Sequence, residues 1–291
     1  MNVKSKISDL FKEGSILSIL RSVAKTSVGA LSLVIIIAVL IAGIFPSYVS
    51  PYDPLELNLK ERLQTPNSTY LLGTDDVGRD ILSRVIHGAS ISVKVGLIVT
   101  LTGGLLGIVL GSLAGYYGGK VDVVIMRFAD MILALPGLIL AIGVLGIVGA
   151  NILNLMFILS VYFWPRYARV VRGLVLKSKE LEYVQAAQVI GVKSRNIIFR
   201  EIVPNVLPEV IILGTLTMGT AILWEAGLSF LGLGVPPPQP SWGNMLALGR
   251  IHLLNSPHVA VFPGLAITIT ILAFNLLGDS LRDVLDPKLR R

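Results

Sequence analysis

The sequence predicts an all-α membrane protein with six transmembrane helices and a shaped loop on the cytoplasmic side, and three observations predict it. Hydrophobic residues make up 53% of the 291-residue chain, charged residues only 15%, and the mean hydropathy is +0.76. A soluble domain sits nearer 25% charged. The apolar residues gather into six runs near the length a bilayer demands, about 20 residues each. The cations are also unevenly placed. With the N-terminus inside, 19 of the 25 Lys and Arg fall in cytoplasmic segments, which puts both termini in the cytoplasm.

Other classes are excluded by what the chain lacks. It has no cysteine, so it can form neither disulfides nor thiolate metal sites. Its three histidines, His87, His252 and His258, share no metal-binding spacing. The formal charge of +7 follows the membrane asymmetry and does not call for nucleic acid. The stretch "GYYGGKV" resembles a phosphate loop but has Ala114 where a glycine is required and Val121 where Ser or Thr is required. The stretch is therefore no phosphate loop.

The elements follow in order. Residues 1–27 form a cytoplasmic segment, and no small-x-small cleavage site follows the first apolar run, so 28–49 reads as a retained first span, Val28–Val49. The outer loop, 50–92, contains "LLGTDDVGRDILSRVIHGASISVKVG". Thr74 or Asp75 can cap a helix whose apolar residues Val77, Ile81, Leu82, Val85 and Ile86 share one side, with Arg79, Asp80, Arg84 and His87 opposite. That pattern predicts a helix lying along the membrane surface. It is either a lid packed on the outer face or a docking surface for an external partner formed by Asp75, Arg79, Asp80 and Arg84.

Residues 93–281 form the core of five transmembrane helices. The second span, Val93–Tyr116, carries Gly103, Gly107, Gly111 and Gly115 on one face. Lipid supplies no hydrophobic drive between helices, so small residues at this spacing read as a tight helix seam; a flexible or pore-lining face is the alternative. In the third span, Met126–Val148, Pro136 predicts a kink. Asp130 lies one turn from Arg127 and can pair with it. The fourth span, Ile152–Tyr167, is the shortest. Glu225 lies deep in the fifth, Val210–Phe230, where a carboxylate marks a pathway or a partner, or bonds backbone amides of the next loop. Asp130, Pro136 and Glu225 are thus the candidate gate or pathway residues. Four prolines stiffen the last outer loop ahead of Trp242, which is expected as an interfacial anchor. The sixth span is Val259–Leu277, and 282–291 is a cytoplasmic tail.

The cytoplasmic loop, 170–208, is the longest charged interruption. Residues 179–190 are mostly good helix formers, and Gly191 suits a left-handed stop. Ser194 can cap a second helix, which Pro204 and Pro208 end or bend into span five. Ala186 and Ala187 leave one face nearly bare, so another surface can approach the backbone closely.

Here the residues carry a resemblance. "YVQAAQVIGVKSRNIIFREIVPN" resembles the EAA-type loop of ABC importer permeases, with Gln185, Ala186, Ala187, Gly191 and Pro204 in the motif's places. "LGTDDVGRDILSRVIHGASISVKVG", "MRFADMILALPGLILAI", "YARVVRG" and "EAGLSFLGLGVPPPQPSWGNML" resemble the C-type permease of the dipeptide/oligopeptide/nickel group. The resemblance implies a type I ABC importer permease fold in a prokaryotic inner membrane, forming half of a heterodimeric pore with a homologous second permease subunit. It implies that the EAA loop docks on one or two cytoplasmic ATP-binding subunits, which hold ATP and Mg while this chain binds no cofactor and is no enzyme. An extracytoplasmic substrate-binding protein would deliver substrate: peptides first, with oligosaccharides or nickel as alternatives. One departure is Gln185, which stands where the motif has glutamate, so a salt bridge there becomes a neutral hydrogen bond. A secondary transporter is the remote rival. It would need intramembrane ionisable residues for coupling, and the spans offer few beyond Glu225 and Asp130.

Overall fold

The computed structural model describes residues 16–285. The cations predicted at Lys4, Lys6 and Lys12, and at Lys288, Arg290 and Arg291, lie outside the described residues. Within them the chain is all helical, with no strand. A short α1 (Ile16–Ala24) leads into α2 (Ser27–Ile44). After an irregular segment, 50–80, come α3 (Ile81–Tyr117), α4 (Gly119–Ala134), α5 (Gly137–Val148) and α6 (Ile152–Lys179). They are followed by α7 (Glu182–Val189), α8 (Ser194–Phe230), α9 (Trp242–Gly249) and α10 (His258–Leu285).

Helices α2, α3, α8 and α10 are each long and apolar enough to cross a membrane, and α4 with α5 makes a fifth crossing if the two are one broken span. The predicted fourth span falls in α6, which is not in this set. Asn154, Arg166 and Arg169 interrupt its apolar stretch.

The 37-residue α3 is the axis of the bundle. Its glycines meet α6 directly. A Cβ at Gly111 would lie 2.9 Å from the Val171 Cβ, and one at Gly115 would lie 2.9 Å from the Val175 Cβ and from the Arg172 carbonyl oxygen. At Gly107 it would overlap the Cβ of Tyr167. At Gly103 the nearest atom is 3.5 Å away, so the close seam begins at Gly107, where it is tightest. On its other sides α3 packs against α8, which in turn packs against α10, and Met218, Ile222, Ala226, Ile267, Ala273 and Phe274 form the core there.

Four expectations are corrected. First, the helix predicted to lie on the membrane surface is the start of α3. It begins at Ile81, capped by Asp80 whose carboxylate accepts from the Ser83 amide at 2.8 Å, and runs without a break into the second span. Residues 73–80 are a loop closed by a Thr74–Asp80 bridge.

Second, the proposed partner surface is interior. Asp75, Asp80 and Arg84 are buried, and the Arg79 side chain is only 11% exposed. Asp75 Oδ2 accepts from Arg79 Nε at 2.6 Å and faces Arg84 Nε at 3.5 Å, while Arg84 Nη1 donates to the Pro54 carbonyl at 2.9 Å. The segment 50–72 folds back over these charges, and Leu63 and Leu72 pack with Ile81, Met245 and Val259 beside them. The result is a cap held by a buried ion network. Removing one partner of such a network strands the other charge. Asp75→Asn is therefore expected to destabilise the cap by about 3 kcal/mol, seen as much faster proteolytic cleavage within 50–72 than in the parent.

Third, Pro136 does more than kink its span. It ends α4 and starts α5, and the two helices meet at 87°. Proline removes the amide that would continue the first helix, and Gly137 lets the second seat against Tyr162 and Trp224. Fourth, Trp242 is no interfacial anchor. It is 2% exposed, its indole donates to the Val85 carbonyl at 2.8 Å, and its ring fills the space left by Gly88.

Candidate functional site

The candidate site is α7 with the turns that hold it. Glu182 in the first turn complements the positive end of the helix dipole. One residue anchors the helix inward: Val184 is fully buried among Val175, Ile197, Ile198, Ile202 and Val206. The helix then stops by local backbone chemistry. Gly191, at φ +78°, donates to the Gln188 carbonyl at 3.1 Å, and the Val192 amide donates to the Ala187 carbonyl at 3.0 Å. This reciprocal pair is the Schellman arrangement, which needs a left-handed residue at its centre. No atom lies within 4 Å of where a Cβ at Gly191 would sit, so the demand for glycine there is conformational, not steric.

Opposite Val184, Gln185, Ala186 and Gln188 face outward and Ala187 is half-buried. The Gln185 amide folds back to the Glu180 carbonyl at 3.2 Å, so it is occupied within the loop. Two residues that sequence reading passed over stand out beside it. Val189 is 87% exposed and Ile190 77% exposed, an apolar pair at the tip of a polar loop. Their signal was present in "QVIG": two β-branched apolar residues directly before a helix-stop glycine.

After the turn, the chain re-enters through Ser194, with Lys193 rather than Ser194 in the cap position. Pro204 and Pro208 do not end the helix. A π-helical stretch, Ile197–Ile202, precedes Val203, and α8 continues through both prolines to Phe230. The wider π turn accommodates a residue that cannot donate an amide. Asn205 Nδ2 donates to the Tyr183 hydroxyl at 3.0 Å, tying α7 to α8.

The loop is thus rigidly joined to two long helices. At the base of α6, Arg172 Nη2 donates to Asp122 Oδ2 on α4 at 2.6 Å, and Lys179 Nζ donates to the Tyr116 carbonyl on α3 at 2.9 Å. Asp130 pairs with Arg169 of α6 at 2.6 Å and not with Arg127 on its own helix. These contacts tie the α6 end of the loop to α3 and α4.

Glu225 lies apart from this loop, near the cap end of α8, and is fully buried. Its Oε1 accepts from the Ser229 hydroxyl at 2.7 Å and its Oε2 from Ser92 of α3 at 3.3 Å. Ser241, from the loop after α8, is a third hydroxyl partner, so its partners are hydroxyls rather than loop amides; Ser229 in turn accepts from the Val235 amide at 3.4 Å.

Comparison with known proteins agrees with this architecture. A family model described as a binding-protein-dependent transport system inner membrane component matches residues 107–291. The chain is 44% identical over 244 residues to the glutathione transport system permease protein GsiD of Pectobacterium atrosepticum, covering 84% of this chain and 81% of that protein. It is 38% identical over 270 residues to the dipeptide transport system permease protein DppC of Alkalihalophilus pseudofirmus, covering 93% and 89%. A chain of the inward-facing MetNI methionine ABC transporter shares the fold at a TM-score of 0.57 and 17% identity, covering 71% of this chain and 98% of that one. This multi-pass membrane chain belongs to the family of binding-protein-dependent transport system inner membrane components.

Proposed function

We propose that this chain is one half of the pore of an ATP-driven ABC importer that carries short peptides across a prokaryotic inner membrane. The observation that carries the reading is the exposed α7 with its glycine-stopped tip, held between α6 and α8. It has the form of a docking element for a cytoplasmic ATPase: Gln185, Ala186 and Gln188 give a low surface, and Val189 and Ile190 give an apolar contact at its end. In this reading the α7 end of the bundle, both termini and the Arg-rich base of α6 lie in the cytoplasm, and α6 completes a six-span topology. The cap, 50–80, faces outward, where a substrate-binding protein delivers its cargo. A homologous second permease completes the pore, and one or two ATP-binding subunits supply ATP and Mg. Two relatives carry dipeptide and glutathione in their names, which supports peptides over oligosaccharides or nickel as the cargo.

Because the coupling free energy between the two faces is reciprocal, the loaded binding protein should tighten ATP binding by the partner subunits. The test reconstitutes this chain with its second permease, ATP-binding subunits and binding protein in vesicles. Peptide accumulation that needs ATP and survives collapse of ion gradients is the expected result. Uptake by this chain alone, or uptake lost with the ion gradient while ATP is intact, overturns it. Val189→Asp is expected to reduce uptake about tenfold or more, since burying an unpaired carboxylate at the interface costs well over 1.4 kcal/mol. Binding of the ATPase subunits in pull-down, measured alongside, should fall in step.

A further inference from the structure

The start of α4 and the base of α6 bring five charged side chains together. Asp130 on α4 and Arg169 on α6 meet at 2.6 Å with 52% and 49% of their side chains exposed. Next to them, Asp122 holds Arg172 through both carboxylate oxygens. The two pairs line a cleft of about 510 Å³ between α4 and α6, with Val123 and Met126 on its apolar side. Arg127 is the fifth charge in the cleft and makes no hydrogen bond or ion pair among the described residues. Three guanidinium groups thus face two carboxylates.

In the topology proposed above these ion pairs lie at the cytoplasmic end of the bundle, where they face water or protein rather than hydrocarbon. The cleft is also of ligand size, within the usual range of roughly 300–1,000 Å³. Its walls are set to move. One is α6, which runs directly into α7; the other, α4, ends at the 87° break by Pro136. What such a site suits is decided by its mixed charge. A short peptide has an ammonium at one end and a carboxylate at the other, and each needs an opposite charge when it leaves bulk water. A cleft of one sign would hold one end and repel the other. Here Arg127 is open for the carboxylate, and Asp130, by loosening from Arg169, offers a partner to the ammonium. Released Arg169 can take a share of the carboxylate, so no charge is left uncompensated during passage.

We infer that the α4–α6 cleft is a water-filled transit site for zwitterionic short peptides, gripped at the carboxylate by Arg127 and at the ammonium by Asp130. The inference rests on the importer reading for its direction of transport, but its test does not depend on uptake.

The chain has no cysteine of its own, so a single one can be placed in the cleft by Val123→Cys or Met126→Cys in the assembled transporter. A charged, water-soluble methanethiosulfonate is then applied to inside-out vesicles, with free dialanine or its N-acetylated, C-amidated form added directly to the exposed face. Both cysteines are expected to react, and free dialanine at millimolar concentration should slow the reaction at least threefold while the blocked form does not. Arg127→Gln, an exposed and unpaired position, should weaken that protection about tenfold, the scale of one charge-assisted contact, when each variant is compared with its own rate in the absence of peptide. Cysteines that do not react, because lipid or the second permease fills the cleft, overturn the inference. Equal protection by free and blocked peptide, or protection unchanged in Arg127→Gln, overturns it as well. Peptide uptake by the cysteine-free parent complex, measured separately, shows whether a failure belongs to the importer reading instead.

Discussion

Gly191→Val is expected to abolish ATP-driven uptake while leaving the permease folded and inserted in the membrane. Gly191 sits at φ +78°, where a β-branched residue is a strong outlier, and holding valine there costs roughly 1–3 kcal/mol. The helix before it has eight residues and one fully buried anchor, Val184. So short a helix has little stability of its own, and losing its stop lets the Ala186–Ile190 turn unwind. The surface that would meet the ATPase then has no fixed shape. Because a Cβ at this position meets no neighbour within 4 Å, the damage stays local and the bundle folds. The series should rank by tolerance of the left-handed region: Gly191→Asn near parent uptake, Gly191→Ala intermediate, Gly191→Val near zero. Uptake by vesicles, with protease protection to verify insertion, decides it. A valine variant that transports normally removes the docking role from this turn.

Gly107→Leu is expected to prevent the bundle from folding, by a different route. A Cβ at Gly107 would overlap the Tyr167 Cβ and lie 3.0 Å from the Ala168 nitrogen and the Trp164 oxygen. Those are backbone atoms of the facing helix, so relief requires α3 and α6 to separate along the seam. Even one added methyl group in a packed interior costs about 1–3 kcal/mol; leucine should exceed that and leave little folded protein. Gly104→Ala is the matched control. Its Cβ meets only the Tyr167 ring, at 3.7 Å, an ordinary contact. Thermal unfolding of the purified chain in detergent should place Gly104→Ala close to the parent and Gly107→Ala several degrees below it, with Gly107→Leu aggregated or absent. Equal midpoints for the two alanine variants would refute the tight-seam account.

The elements that could be read from the sequence share one property: their cause is local. Gly191 stops a helix because of its own backbone freedom and the three residues before it. The glycine repeat from 103 to 115 is one face of one helix, and its partner had only to be another helix. The misread elements depended on distant chain. Arg79, Asp80 and Arg84 follow a pattern that places them on a water face. They are buried because 50–72 folds over them and because His258, far along the chain, reaches the Thr74 carbonyl at 3.3 Å. Asp130 had a cation one turn away in sequence, but Arg169 arrives across the cleft from another helix. Pro136 announced a disturbance, while its size, 87°, was set by Gly137 seating against Tyr162 and Trp224.

Taken by itself, the amino-acid order determined that this is a helical membrane chain, where most of its crossings lie, which helix face packs closely, and that a capped, glycine-stopped loop interrupts them. Hydropathy and backbone freedom belong to residues and their near neighbours, so no fold is needed to read them. Only the tertiary structure decided the fate of the charges: which are sealed inside the cap, which bridge α4 to α6, and which remain open in the cleft. Electrostatic pairing depends on what else comes within a few ångströms, and in this chain the partners are brought there from tens of residues away.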